Sequence, residues 1–339
     1  MSARFVRWLL ALGASVTASR KGAARLTIVR HHRVYAEGER ALYHLGVSES
    51  MLAGQVETCV RAGLTPVTVH EGLARFERGE AGQTVAFTFD DGYADNITRA
   101  LPVLARFGAS ATFYLTAGLM DSRTAPWWDE LAFILEHAAV PAACVTLGDS
   151  TLTIEVSTLA GRRAALAAVL PLLRVSPPQM RARLDQLRAA LSVTTPAPCE
   201  LAQWPLARAL VEAGMEIGAH TLTHPFLTTL APAEQAAEIR GSVELIHARL
   251  GVVPTGFAYP VGDHDDQTVE ATRAAGLAHA VTTQAGDCRP DSPRLRLVRR
   301  TLPEGACIGP DGRYSSAMTR AELAGAFDRL RGRRAEVGT

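Results

Sequence analysis

Residues 84–93 read Thr-Val-Ala-Phe-Thr-Phe-Asp-Asp-Gly-Tyr. The run up to Phe89 is apolar or β-branched and short, which predicts a buried strand. It ends on two adjacent carboxylates. Adjacent carboxylates repel, and successive strand side chains point to opposite faces, so at a strand's mouth Asp90 and Asp91 can divide two tasks. One can bind a metal while its neighbour moves protons. Asp-Asp-Gly is also ordinary turn chemistry, so the pair gains meaning only from a second signal.

That signal is His220-Thr-Leu-Thr-His224, which follows another short strand pattern, Met215-Glu-Ile-Gly-Ala219. A single histidine would read as structural. Two histidines four apart at a strand end can converge on one cation. With Asp91 they supply two imidazoles and one carboxylate, a divalent-metal set that leaves positions open for water and substrate. Zinc is the first choice for such donors, with cobalt, nickel or iron as alternatives.

With these residues in hand, the chain resembles the polysaccharide deacetylase family, the NodB-homology carbohydrate esterases (carbohydrate esterase family 4). The matching pieces are Thr88-Phe-Asp-Asp-Gly-Tyr93, His220-Thr-Leu-Thr-His224-Pro225 and Phe257-Ala-Tyr-Pro-Val-Gly262, in the family's order over roughly residues 82 to 300. The resemblance implies that Asp90 is the catalytic base and that Asp91, His220 and His224 hold the metal. It implies an oxyanion donor in the backbone N–H of Val261, with Tyr259 and Pro260 beside it. Valine stands there where the family usually has tyrosine, a change that a backbone donor tolerates.

The departing amine needs a general acid. Many family members carry a histidine for this near the C-terminus, and no histidine follows Leu297. His279 falls in a strand pattern and reads as structural. Leu26-Thr-Ile-Val-Arg-His-His-Arg-Val34 resembles instead the N-terminal strand of the permuted, exopolysaccharide-linked branch, whose histidine plays the acid. By position this is His32, with His31 where that branch has tyrosine. The arginine that many members place before the third-motif proline, aimed at the base, is also missing from Thr255-Gly-Phe-Ala-Tyr-Pro260. Arg296, Arg299 or Arg300 on a last strand can supply that charge, or can form a solvated basic edge.

At 339 residues and 47% hydrophobic, the chain can bury one large core, and 20% charged residues argue against disorder. A net charge of +1 gives no electrostatic case for nucleic acid. Five cysteines (Cys59, Cys144, Cys199, Cys288, Cys307) are odd in number and lack a Cys-x-x-Cys pair, so they read neither as a zinc site nor as a disulfide framework. Near the start, Arg4 and Arg7 precede Trp8-Leu-Leu-Ala-Leu-Gly-Ala-Ser-Val-Thr-Ala18, which has the length and small-residue end of a secretory signal. It is too short to span a bilayer. The alternative is a helix packed on the domain or lying on a membrane surface, with Arg20, Lys21 and Arg25 facing phosphates. The first reading places the chain in the periplasm or outside. The second, favoured by free cysteines, places it in the cytoplasm or on the inner-membrane surface.

Strand patterns recur at residues 26–30, 84–89, 111–116, 216–219, 256–259 and 278–283, with helical patterns between. The clearest is 232–250, where Ala236, Ile239, Val243, Ile246 and Leu250 keep helical spacing. Such alternation predicts parallel strands with helices outside, and a (β/α) barrel sets its chemistry at carboxyl ends of strands, where these motifs fall. The resemblance implies the family's irregular (β/α)7 barrel. Its core is expected over 82–119 and 200–305, after an N-terminal helix over 1–25 and a contributing strand and helix over 26–81. Residues 120–199 are expected to form a mainly helical insertion, and 306–339 a terminal helix and tail. Trp127 and Trp128, which open the insertion, are candidates for stacking on sugar rings or for anchoring the insertion.

The resemblance implies a hydrolase of non-peptide carbon–nitrogen bonds that removes N-acetyl groups from N-acetylhexosamine units of a poly- or oligosaccharide, with a metal-activated water, Asp90 as base and His32 as acid. Three alternatives stay open. A family relative cleaving a small cyclic amide or imide would keep the metal and lose the sugar groove. A non-haem iron oxygenase shares the ligand triad but needs no second aspartate. A catalytically silent carbohydrate-binding protein would need neither base nor acid.

Overall fold

The computed structural model describes residues 3–17, 23–39, 42 and 45–328. Ala18, Arg20 and Lys21 of the N-terminal segment and residues 329–339 of the tail lie outside them. Seven parallel strands close a barrel: β1 (Arg25–His31), β4 (Gln83–Phe89), β5 (Ala111–Leu115), β8 (Glu216–Ala219), β9 (Gly256–Ala258), β10 (His279–Ala285) and β11 (Leu297–Thr301), in the spatial order β1-β11-β10-β9-β8-β5-β4. Six of these are the strand patterns read from sequence. The seventh, β11, carries two arginines that break its apolar run.

Parallel strands covered on both faces need apolar residues on both, and β4 is buried from Thr84 to Phe89. Its Phe87 and Phe89 belong to the main core with Phe113 of β5, whose ring stacks on that of Phe89 at 4.9 Å. Two short strands, β2 (Arg33–Tyr35) and β3 (Gly46–Ser48), pair beside the barrel. Around it run α2 (Glu49–Arg61), α3 (Val69–Glu77), α4 (Leu101–Arg106), α5 (Ala117–Ser122), α9 (Trp204–Glu212), α10 (Pro232–Leu250), α11 (Asp266–Ala274) and α12 (Ser316–Leu323). The N-terminal α1 (Ala3–Thr17) packs on α12.

The insertion is less helical than its sequence predicts. Between α6 (Trp127–Glu136) and α7 (Leu159–Val169) lies an antiparallel hairpin, β6 (Ala142–Leu147) and β7 (Ser150–Glu155), followed later by α8 (Pro177–Ala190). The hairpin turns at Gly148, whose φ of +62° is open to glycine. The strand signal was available in Thr-Leu-Thr-Ile, but only Val145, Leu147 and Ile154 of the hairpin are buried. With so few inward residues the alternation is faint. The insertion has a core of its own, in which Leu135, Ile154, Val169, Leu184 and Leu187 pack together.

Candidate active site

The register of β1 against β4 does the first placing. Arg30 pairs with Thr88 and His31 with Phe89, and the Asp90 N–H continues the ladder by donating to His31 O at 3.0 Å. The next residue along each strand is therefore His32 and Asp90. His32 Nε2 stands 4.0 Å from Asp90 Oδ2. The His32 carbonyl accepts from Asn96 Nδ2 at 2.7 Å, and Arg33 and Val34 N both donate to Asp95, which holds the strand end down.

Asp91 turns away from its neighbour through a left-handed backbone, φ +77°, and faces the histidines. Its Oδ1 lies 3.4 Å from His220 Nε2 and 3.6 Å from His224 Nε2, and all three residues are buried. Ligands about 2.1 Å from one cation at near-tetrahedral angles sit about 3.4 Å apart, so the three donors fit a divalent ion. The His220 ring is fixed by its other nitrogen. Nδ1 donates to Ala258 O at 2.6 Å, leaving Nε2 with its lone pair toward Asp91.

The intervening loop is built to hold this pose. Glu238 of α10 accepts from Leu222 N and Thr223 N, both at 2.9 Å, and Thr221 Oγ1 accepts from His224 N at 3.0 Å. Thr221 and His224 both have positive φ, a strain these bonds offset. Burial, with His220 beside it, pushes the His224 imidazole down to about 3, which keeps it neutral as a ligand must be.

Of the three arginines on or before the last strand, one reaches the base. Arg299 Nη1 and Nη2 donate to the two Asp90 oxygens at 2.7 and 2.8 Å, a buried fork, while Nε donates to Thr282 O at 2.9 Å. Burial alone would raise the Asp90 pKa, but the Arg299 guanidinium outweighs it and holds the carboxyl well below the usual carboxylate range. Arg300 is also buried, yet points the other way to Asp287 and Asp328, and Arg296 pairs with Asp266 at the surface. A solvated basic edge is thus ruled out for Arg299 and Arg300. Alternation along β11 separates the two: neighbouring strand residues face opposite sides.

Two sequence-level expectations need correction. Tyr259 contributes no side chain to the site. It is fully buried, stacks on His264 at 4.7 Å and donates to Leu295 O, because β9 directs it into the wall. Trp128 is 5% exposed and cannot present a face to a sugar. Its ring packs 4.1 Å from that of His224, and its Nε1 donates to Tyr93 Oη at 2.7 Å, which donates on to Asp129. It anchors the insertion to a candidate ligand. His31, by contrast, stands where the tyrosine position was expected, in a phenylalanine sandwich with Phe87 and Phe89, each 5.5 Å away, and leaves the acid's place to His32.

Trp127 is half-buried, donates Nε1 to His224 O at 3.1 Å and borders a cavity of about 150 Å3 with Met180, Leu184 and Pro225. Pro260 is buried, and Val261 beyond it has φ +49°, ψ +11° and a side chain 47% exposed. A β-branched residue is strained there. The turn's two hydrogen bonds run from Gly262 N and Asp263 N, so the Val261 N–H is not spent on it. Sequence reading passed over Arg30, whose Nε is buried without a partner among the described residues and which lines a cavity of about 80 Å3 with His32. Its place near the end of β1, two residues before His32, was the available signal. It also passed over Asp129, which burial pushes up to about 7.

Fold and site together define a class: a parallel (β/α)7 barrel whose paired-aspartate strand end faces two histidines four apart. The chain belongs to the polysaccharide deacetylase family, whose model matches residues 77–280, more than half of its length. It is 28% identical over 109 residues to YxkH of Bacillus subtilis (strain 168), a protein named for polysaccharide deacetylases, a match covering 32% of this chain and 39% of that protein. It is 38% identical over 74 residues to chitin deacetylase 1 of Cryptococcus neoformans var. grubii, covering 22% of this chain and 16% of that one. The matches therefore span well under half the length of these relatives. Among solved structures, the Streptococcus pyogenes deacetylase PplD in complex with acetate superposes with a TM-score of 0.57 at 16% identity, covering 86% of this chain and 97% of that one. IcaB from Ammonifex degensii superposes with a TM-score of 0.53 at 18% identity, covering 90% and 100%. Identities this low establish the shared fold.

Proposed function

We propose that this protein hydrolyses the N-acetyl group of N-acetylhexosamine units in a poly- or oligosaccharide, as members of the N-terminal-histidine branch do, releasing acetate and leaving a free amine. The observation that carries the reading is the Arg299 fork on Asp90, 4.0 Å from His32 and next to the Asp91–His220–His224 cluster. It supplies a fixed base, a second proton-carrying group and a cation cradle on one rim. A divalent cation held by Asp91, His220 and His224, with zinc the best fit to two imidazoles and a carboxylate, would supply the Lewis acid for amide hydrolysis.

The chain's own groups divide the remaining work. Asp90, kept ionised by Arg299, accepts a proton from the attacking water as the acetyl carbon becomes tetrahedral. The Val261 N–H donates to the oxyanion that forms. His32 Nε2 delivers a proton to the sugar nitrogen as the carbon–nitrogen bond breaks. Burial lowers the His32 pKa and Asp91 and Asp90 offset only part of that fall, so these two carboxylates are what favours its proton. A silent binding protein would have no use for the buried Asp90–Arg299 pair. The test is acetate release from chitooligosaccharides and poly-N-acetylglucosamine, before and after chelation and after restoring zinc. Release that survives complete chelation would sink the metal-dependent reading, and no release from either polymer by zinc-loaded protein would sink the substrate class.

A further inference from the structure

Helix α1 has two faces. Toward α12, Ala11 is fully buried, Trp8 packs with Met318, Ala321 and Phe327, and Arg7 pairs with Glu322. On the opposite side, at the 100° steps of a helix, lie Val6, Leu9 and Leu10, exposed by 41%, 45% and 55%. They are three of the seven large apolar side chains exposed among the described residues. An apolar strip of this density is unusual on a surface helix. We propose that this face of α1 docks on an anionic lipid bilayer, lying in its interface.

Charge and length select that occupant. Residues 1–36 contain no acidic side chain, while Arg4, Arg7, Arg20, Lys21 and Arg25 fall within the first 25. Arg7 and Arg25 pair with acids of the body, and along the sequence Arg4 comes before the apolar residues while Arg20 and Lys21 come after them. A basic segment around an apolar helical face suits anionic headgroups above an acyl boundary. A second copy fits worse, because a two-fold interface on this face would bring both basic segments together. Fifteen residues extend about 22 Å, short of a hydrocarbon core of about 30 Å, and among the described residues no helix is long and apolar enough to cross a membrane.

The test is sedimentation of the full chain with vesicles of mixed phosphatidylcholine and phosphatidylglycerol, or of phosphatidylcholine alone. Binding is expected to the mixed vesicles and to be at least about tenfold weaker to the neutral ones. Leu9→Gln/Leu10→Gln should weaken it by about tenfold or more. Both side chains are exposed, so the unfolding temperature should hold. Leu10→Gln alone gives a milder variant if the pair perturbs folding. Binding unchanged in both variants overturns the proposal, as does no binding to either vesicle. A dimer in sedimentation velocity that the variants dissolve would assign the face to a second copy. A chain recovered from its cells with residues 1–18 removed would make the segment a leader.

Discussion

Replacing Arg299 with methionine tests the core of the catalytic reading. The change removes both donors on Asp90, along with the bonds to Thr282 O and Thr88 Oγ1, and leaves a buried carboxylate with His32 as its nearest cation-capable neighbour. Breaking one partner out of a buried pair costs about 3–5 kcal/mol. An unfolding entropy of about 2.1 cal/mol/K per residue over 339 residues converts this to a fall in Tm of about 4–7 °C. The pH dependence carries more information. In the wild type the folded Asp90 pKa lies below its unfolded value, so the stabilisation is present above pH of about 4 and is lost as pH falls toward the folded value. Without Arg299, burial dominates and raises the folded pKa, so this group's contribution changes sign and stability is lost as pH rises. The acid limb of kcat/KM should move upward with it, because the base is then protonated over more of the range. The assays are calorimetry from acid to neutral pH, a pH–rate profile of acetate release and metal analysis. Arg299→Met/Asp90→Asn should recover much of the Tm, since neither charge is then left alone. An unmoved acid limb at full metal content would refute the assignment of Asp90 as the base that Arg299 keeps ionised.

Asp91→Ala, His220→Ala and His224→Ala should each lose bound metal and activity together, and full occupancy by elemental analysis in the His224 variant would remove it from the ligand set. Asp90→Asn should keep its metal and lose about 10²–10⁴ in kcat, the usual worth of a positioned base, and metal loss instead would mean the two aspartates are reversed. His32→Ala should lower kcat on an N-acetylated sugar by about 10²–10⁴ but spare an activated aryl acetate, whose phenolate leaves unprotonated. Equal losses on both substrates would make His32 structural. His31→Phe should flatten the acid side of the stability curve. Burial, with His32 beside it, puts the His31 pKa down to about 3, so its neutral form contributes fully above about 6.5 and is lost as pH falls toward about 3, a term of at most about 4–5 kcal/mol. An unchanged acid-unfolding midpoint in that variant would count against it.

Local pattern carried most of the site. Asp90, Asp91, His220 and His224 were legible because each sits at a strand end, where a few residues of context are enough. His32 was legible from its strand and its place in the resemblance. Arg299 was only one of three equal arginines, for its partner lies 209 residues away and nothing in β11 says which face meets Asp90. Tyr259 and Trp128 misled because aromatic residues beside a motif serve equally well as wall or platform. What decided between them was burial, a property of the assembled barrel. The hairpin β6–β7 was missed since it lies on the insertion's surface and so lacks a strong alternation.

Strand β1 pairs with β4 along one side and with β11 along the other. During synthesis β4 follows soon after β1, but the second neighbour, β11, begins only at Leu297. Until it arrives the nascent chain carries an open edge beside β1 and an uncompensated charge at Asp90, although every candidate metal ligand has already been made. The final strand thus acts as a latch: it seals the sheet and switches on the base in one event. Contacts this distant in sequence slow folding, so catalytic competence should be among the last properties the newly made chain acquires.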